Sequence, residues 1–146
     1  MFKNAFIIEM SKTFQKLSQL NSSGAGILFT CTDDNSALFL LRSDIVSEPG
    51  TWGIPGGTIE INEKPFKAAR RETIEEVGSI PRYSEYIDHL INDSPNYHIF
   101  IYNIPLDSKK EWSNNIKLNQ EHSEYRWFKQ NKIPNNLFSG LAILKY

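Results

Sequence analysis

Apolar residues at Phe6, Met10, Phe14 and Leu17 recur at spacings of four, four and three. This predicts one face of a helix within residues 2–20, with extended structure over part of the segment as the rival. The cluster Asn21-Ser22-Ser23-Gly24 then predicts a turn. After it the pattern shortens. Residues 26–31 form a compact apolar run, Asp33-Asp34-Asn35-Ser36 carries hairpin-turn residues, and 37–41 reads as the returning strand. Residues 43–57 are rich in turn formers, including Pro49-Gly50 and Pro55-Gly56-Gly57.

The clearest helix covers residues 65–77. Pro65 suits the first helical position, where its missing N–H removes no intrahelical bond. Gly78 suits the position just past the end, and Pro81 confirms the stop. Lys64 is a poor N-cap, and Asn62 serves if the helix begins earlier. Residues 83–90 and 97–104 read as strands joined by a turn at 92–96. Residues 107–120 are polar and loop-like, and 125–128 reads as a short strand. Ile133-Pro134-Asn135-Asn136 breaks the chain, and 137–146 is compatible with a terminal helix. Strands and helices mix without strict βαβ alternation, so the expected fold class is α+β around a mixed sheet.

Composition narrows the function classes. A chain of 146 residues without linker, repeat or low-complexity tract reads as a single domain, with 1–23 as an N-terminal extension. Its 40% hydrophobic and 23% charged residues exclude a disordered or collagen-like polymer. One cysteine excludes an internal disulfide framework and a CxxC metal site, and Cys31 is expected in the core. A net charge of −1 removes the argument for nucleic-acid binding by bulk positive charge. No apolar run reaches the roughly 18 residues of a membrane span, and the N-terminus lacks a small-residue cleavage site, so a cytoplasmic location is expected.

The near-zero charge hides a local excess. On a helix at about 100° per residue, Phe66, Ala69, Thr73 and Val77 form one narrow packing stripe, while Glu72, Glu75 and Glu76 share another arc. Like charges at spacings of three and four repel, and the last turns of a helix disfavour anions. A divalent cation reverses the sign of both terms, and hard cations take carboxylate oxygens. The alternative is a solvated acidic face partnered by Arg70 and Arg71.

The residues before the helix weigh against that alternative. From Gly57 the chain runs five residues to Glu63, seven more, and then Arg71-Glu72-Thr73-Ile74-Glu75-Glu76-Val77-Gly78-Ser79. This resembles the Nudix box, GX5EX7REUXEEXGU with U apolar, and all seven fixed letters match across residues 57–79. Residues 52–57 are similar to the family's usual lead-in. Ser79 stands where the pattern wants an apolar residue, which is expected to loosen the helix end, and Asn62 replaces a frequent glycine.

The resemblance implies a Nudix-type α/β/α sandwich around a mixed sheet. It also implies an enzyme that hydrolyses phosphoric anhydride bonds in a nucleoside diphosphate linked to another group. The implied cofactor is Mg2+, or Mn2+, activating water for attack on phosphorus. Glu72 and Glu76 become the principal metal ligands, with Glu75 sharing the metal or deprotonating the water. The Gly56 carbonyl becomes a backbone ligand, Arg71 orients the neighbouring carboxylates, and Glu63 secures the loop–helix junction. Glu121 resembles an extra glutamate that many members use as metal ligand or base, with Glu124 its nearest rival. Arg42 resembles a phosphate-contacting arginine of MutT-like members. Physical chemistry agrees: a pyrophosphate repels an anionic nucleophile and an acidic cleft alike, and a divalent cation offsets both.

Phe100, Tyr102 and Trp127 are candidates to stack a nucleobase, with core packing as the alternative. His89, His98 and His122 read as structural histidines, His122 drawing more interest because it adjoins Glu121. Pro95 resembles a marker of ADP-ribose hydrolases and Tyr97 one of dinucleoside polyphosphate hydrolases, so neither decides. The expected substrate is a (d)NTP, ADP-ribose or a dinucleoside polyphosphate. The alternatives are an RNA 5′ end, helped by Lys109, Lys110 and Lys117, and a non-catalytic nucleotide-sensing module. The expected assembly is a monomer or homodimer.

Overall fold

A computed structural model describes residues 23–145, so the helix expected within 2–20 lies outside the described residues. In chain order the elements are β1 (Gly24–Cys31), β2 (Ser36–Arg42), β3 (Trp52–Gly53), β4 (Gly56–Thr58), α1 (Pro65–Val77), β5 (Glu85–Asn92), β6 (Tyr97–Asn103), α2 (Leu106–Ser113), β7 (His122–Lys129) and a closing 3-10 helix (Ser139–Lys145). The bounds of α1 are those its end signals predict. Pro65 opens it without a side-chain cap from Lys64, and Gly78 closes it at φ 94°, its N–H donating to the Ile74 carbonyl.

Three expectations change. The turn-rich stretch 43–57 contributes β3 and the start of β4, held by the pairings Leu40↔Gly53 and Gly26↔Gly56. The loop expected over 107–120 begins instead with α2, which tertiary contacts hold. Leu106 N–H donates to Asp33 Oδ2 at 2.9 Å, and Trp112 Nε1–H donates to Ser79 Oγ at 3.1 Å. The polar residue at 79 therefore ties α2 to the end of α1 rather than loosening it. The terminal helix is a 3-10 helix.

The strands form one seven-stranded mixed sheet, with β3-β2-β1-β6-β5 as its main path. Strands β1 and β6 run parallel from Gly24↔Tyr97 to Thr30↔Asn103; among the described residues the other strand pairings are antiparallel, with one isolated parallel bridge at Trp52↔Leu137. Alternation along the strands sends side chains to two cores. One lies beneath the two α-helices and contains Ile27, Phe29, Cys31, Ala68, Ala69, Val77 and Trp112. The other contains Leu28, Phe39, Ile99 and Leu141 and is closed by the 3-10 segment. Thr73 is buried in α1 and satisfies its hydroxyl internally, donating to the Ala69 carbonyl at 2.7 Å. Among the described residues, no helix is long and apolar enough to cross a membrane.

One irregularity of the sheet places the site. Strand β1 meets β2 only at Thr30↔Ala37 and Cys31↔Ser36, then pairs with β4 over Gly24–Gly26. Strand β2 meanwhile pairs with β3 at Leu40 and Leu41. The cleft described below lies in this fork, bordered by Gly24, Arg42, Ile54 and Gly56.

Candidate active site

Strand β4 passes directly over the acidic flank of α1. At Gly57 an added Cβ would stand 2.5 Å from Glu72 Cδ, so only glycine lets the backbone approach that carboxylate. One residue earlier, Gly56 N–H donates to Glu76 Oε2 at 3.1 Å. Glu76 is 2% exposed, so the acidic arc is not a solvated face at this position. Glu121 arrives on a loop clamped to the C-terminal end of α1. Lys117 N–H donates to the Val77 carbonyl and Asn119 N–H to the Glu76 carbonyl, while Asn119 Nδ2 donates to Glu121 Oε2 at 3.2 Å. As a result Glu72, Glu76 and Glu121 each offer a carboxylate oxygen within 4.8 Å of the other two.

Arg71 organises the outer side of this cluster. Its Nε and Nη2 donate to the two oxygens of Glu63, each at 2.9 Å, and its Nη1 donates to Glu72 Oε1 at 2.9 Å. The paired hydrogen bond from Arg71, helped by the Glu60 amide on Glu63 Oε1, holds the Glu63 carboxyl down to about 2. Glu63 thus locks the loop to the helix, and Arg71 fixes the neighbouring carboxylate. Glu75 stands apart from the trio. Its side chain is 53% exposed and its Oε1 accepts from Arg71 at 3.4 Å.

The cluster is electrostatically poised for a cation. Burial pushes the Glu76 carboxyl up to about 9; the Gly56 amide opposes the shift, and the charges of Glu72 and Glu121 add to it. Burial also raises Glu72, against the pull of Arg71. Hard oxygen donors around one point fit Mg2+ or Mn2+, and a divalent charge among them would favour the ionised form of each.

The carboxylates open onto a cleft of about 400 Å3. Arg42 borders it, with Nε donating to the Ser47 carbonyl at 2.7 Å and the guanidinium lying 4.5 Å from the Phe138 ring centroid. His122 borders it too, 6% exposed, with Nδ1 3.7 Å from Glu76 Oε2. Burial lowers His122 to about 4, and the Arg42 charge adds to the shift. His122, expected as a structural histidine, thus borders the cleft, and its adjacency to Glu121 is the signal the sequence carries for it. Phe138 also lines the cleft, and nothing in the local pattern at 137–146 signals it.

The three aromatic candidates are not brought to the cleft. Phe100 is 8% exposed, and Phe66 of α1 packs edge-on against it at 5.3 Å and stacks on Tyr102 at 5.6 Å. Trp127 packs on the same core and donates Nε1–H to Ser113 Oγ at 2.9 Å. Strand alternation turns these rings toward α1 and α2, away from the fork. Tyr97 does reach the cleft, but as its floor, buried among glycines. Glu124 pairs with Arg126 on the surface. Lys109 pairs with Asp34 and lies over the Trp127 ring.

A family model for the NUDIX domain matches residues 21–143. An 8-oxo-dGTP diphosphatase of Proteus vulgaris is 31% identical over 85 residues, covering 58% of this chain and 73% of that protein. Diphosphoinositol polyphosphate phosphohydrolase 2 of Rattus norvegicus is 26% identical over 82 residues, and the match spans 56% of this chain but only 44% of that longer protein. Among solved structures, a MutT NUDIX hydrolase from Burkholderia pseudomallei superposes with TM-score 0.58 at 22% identity, covering 84% of this chain and 94% of that one. A C. elegans Ap4A hydrolase gives TM-score 0.58 at 19% identity, covering 84% and 86%. The match across residues 21–143, together with the box carboxylates gathered at one cleft, makes this chain a member of the Nudix hydrolase family.

Proposed function

We propose that the protein is a divalent-metal-dependent pyrophosphohydrolase that cleaves a nucleoside diphosphate linked to another group. The observation that carries this reading is the convergence of Glu72, Glu76 and Glu121 within 4.8 Å at the wall of an open cleft. These three residues would hold Mg2+, or Mn2+, with the Gly56 backbone beside them. Once bound, the ion offsets substrate charge and lowers the pKa of a coordinated water. Arg71 keeps Glu72 oriented and Glu63 keeps the loop on the helix. Glu75, outside the trio and open to solvent, shares the metal or accepts the water's proton, with Glu121 as the other candidate base. Arg42 at the cleft edge would meet phosphate oxygens.

The substrate reading is a (d)NTP, ADP-ribose or a dinucleoside polyphosphate. The Proteus vulgaris relative, an 8-oxo-dGTP diphosphatase, supports the first. The structural likeness to an Ap4A hydrolase keeps the last in the panel. Tyr97, which resembles a marker of dinucleoside polyphosphate hydrolases, lines the cleft floor with its ring almost wholly buried, so it offers little surface to a base. A cytoplasmic location and a monomer or homodimer belong to the same reading.

The test is a panel of 8-oxo-dGTP, the standard (d)NTPs, ADP-ribose, Ap4A and a 5′-triphosphorylated RNA, each with Mg2+, with Mn2+ and with EDTA. Products are then identified in 18O-labelled water. Metal-dependent release of a nucleoside monophosphate or diphosphate supports the proposal. Tight nucleotide binding without turnover on any member would replace it with a nucleotide-sensing module.

A further inference from the structure

Among the described residues, the buried side-chain nitrogens and oxygens that lack any hydrogen-bond partner are two, and both belong to His122. Other buried polar side chains are satisfied: Thr73 donates to Ala69, and Asn92 both donates to the Pro95 carbonyl and accepts from Ile143 N–H. A ring serving only as packing needs no nitrogen, and a carbon ring would fill the same space without leaving a donor and an acceptor idle.

The surroundings of His122 say where its donor is aimed. The sheet slips by one residue between Leu41 and Arg42, so that β7 begins with His122 level with Arg42 instead of following the regular register. That slip sets Nδ1 at 3.7 Å from Glu76 Oε2, the same oxygen that accepts Gly56 N–H at 3.1 Å. A closure of about 0.5 Å brings Nδ1 into hydrogen-bond range. Arg42, paired with His122 across the sheet, is already engaged with Ser47.

We infer that His122 is a positioning residue for Glu76, donating Nδ1–H to Oε2 and holding the carboxylate in the orientation that lets it share a cation with Glu72 and Glu121. Ligating carboxylates are commonly held by such outer hydrogen bonds, whose loss costs about 10- to 100-fold in metal affinity. The inference rests on the metal-dependent reading above.

The test uses the full chain and three variants. His122→Phe keeps a ring and removes both nitrogens, His122→Asn keeps a donor close to the Nδ1 position, and His122→Gln moves it outward toward Nε2. Mn2+ affinity is read from the free-ion signal in electron paramagnetic resonance, alongside kcat and KM for the best panel substrate and the unfolding midpoint in EDTA. His122→Phe is expected to weaken Mn2+ binding by about tenfold or more and to lower kcat with KM little changed. His122→Asn should restore affinity to within about threefold of the parent, and His122→Gln should not. Equal Mn2+ affinity in the Asn and Gln variants, or parental affinity in the Phe variant, overturns the inference. If the Phe variant does not fold, the Asn–Gln comparison decides alone. Failure of the parent chain itself to bind Mn2+ would instead overturn the metal reading on which the inference stands.

Discussion

Replacing Glu76 by glutamine separates what this side chain does for folding from what it does for chemistry. Glu76 is 2% exposed and its carboxyl is pushed up to about 9, chiefly by burial. Without metal at pH 7, the folded chain therefore holds a proton that an unfolded glutamate, with its ordinary value near 4.5, has released. Holding it costs about 1.4 kcal/mol per pH unit above that value, or on the order of 3 kcal/mol at pH 7. Glutamine is isosteric, carries no proton to hold, and still offers an oxygen to the Gly56 amide. Some of the gain is returned, because the new NH2 needs a buried acceptor of its own. The expected net effect in EDTA at pH 7 is stabilisation of about 1–2 kcal/mol, an increase of roughly 3–8 °C in midpoint. Activity moves the other way, because the trio loses a charged oxygen donor. Turnover with saturating Mg2+ is expected to fall by about 10³-fold. Differential scanning fluorimetry in EDTA, paired with phosphate release in Mg2+, checks both arms. A variant less stable than its parent in EDTA would refute the electrostatic account, and turnover within about tenfold of the parent would refute the ligand assignment.

Three further outcomes follow from the same structure. Gly57→Ala puts a methyl against the Glu72 carboxylate; activity should fall about 10- to 100-fold with a circular dichroism spectrum unchanged from the parent. In EDTA, stability measured by urea titration should fall as pH rises from 6.5 to 9, because the folded state keeps the Glu76 proton that the unfolded state loses. Below pH 6.5 the sign for His122 is opposite, since the unfolded chain takes up a proton the folded one refuses until about pH 4; the two terms cancel near pH 5–6, and excess Mg2+ should flatten the fall above 6.5. Phe100→Leu should cost about 1 kcal/mol of stability and leave KM unchanged, as expected for a ring packed under α1; a several-fold rise in KM would return Phe100 to the substrate site.

The parts of the molecule legible in sequence are those whose causes are local. Helix α1 carries its own start and stop in Pro65 and Gly78, and its carboxylates lie on one flank by helical spacing alone. The residues that a distant element positions were not legible. Trp112 becomes helical because Ser79 and Phe29, far away in sequence, receive it. The direction of Phe100, Tyr102 and Trp127 depends on which face of the sheet α1 covers, and a strand pattern states alternation without naming the covered face. His122 gained its place from a one-residue slip between β2 and β7, which has no signature in either strand by itself.

Tyr97 at the cleft floor limits how this pocket could be remodelled. A side chain added at Gly24 would strike the Tyr97 ring at 2.6 Å, and one at Gly140 would meet the same ring at 2.9 Å. At Gly26 and Gly56 an added carbon would also meet main chain, the Pro55 carbonyl at 2.6 Å and the Ala25 carbonyl at 2.5 Å. The floor thus has two kinds of constraint. Trimming Tyr97 in a designed library would remove the closest clash at Gly24, leaving the Gly57 carbonyl 3.2 Å from an added carbon, whereas no exchange of neighbouring side chains would release Gly26 or Gly56. Remodelling therefore has more room at Gly24 than at Gly26 and Gly56, where the main chain itself stands in the way.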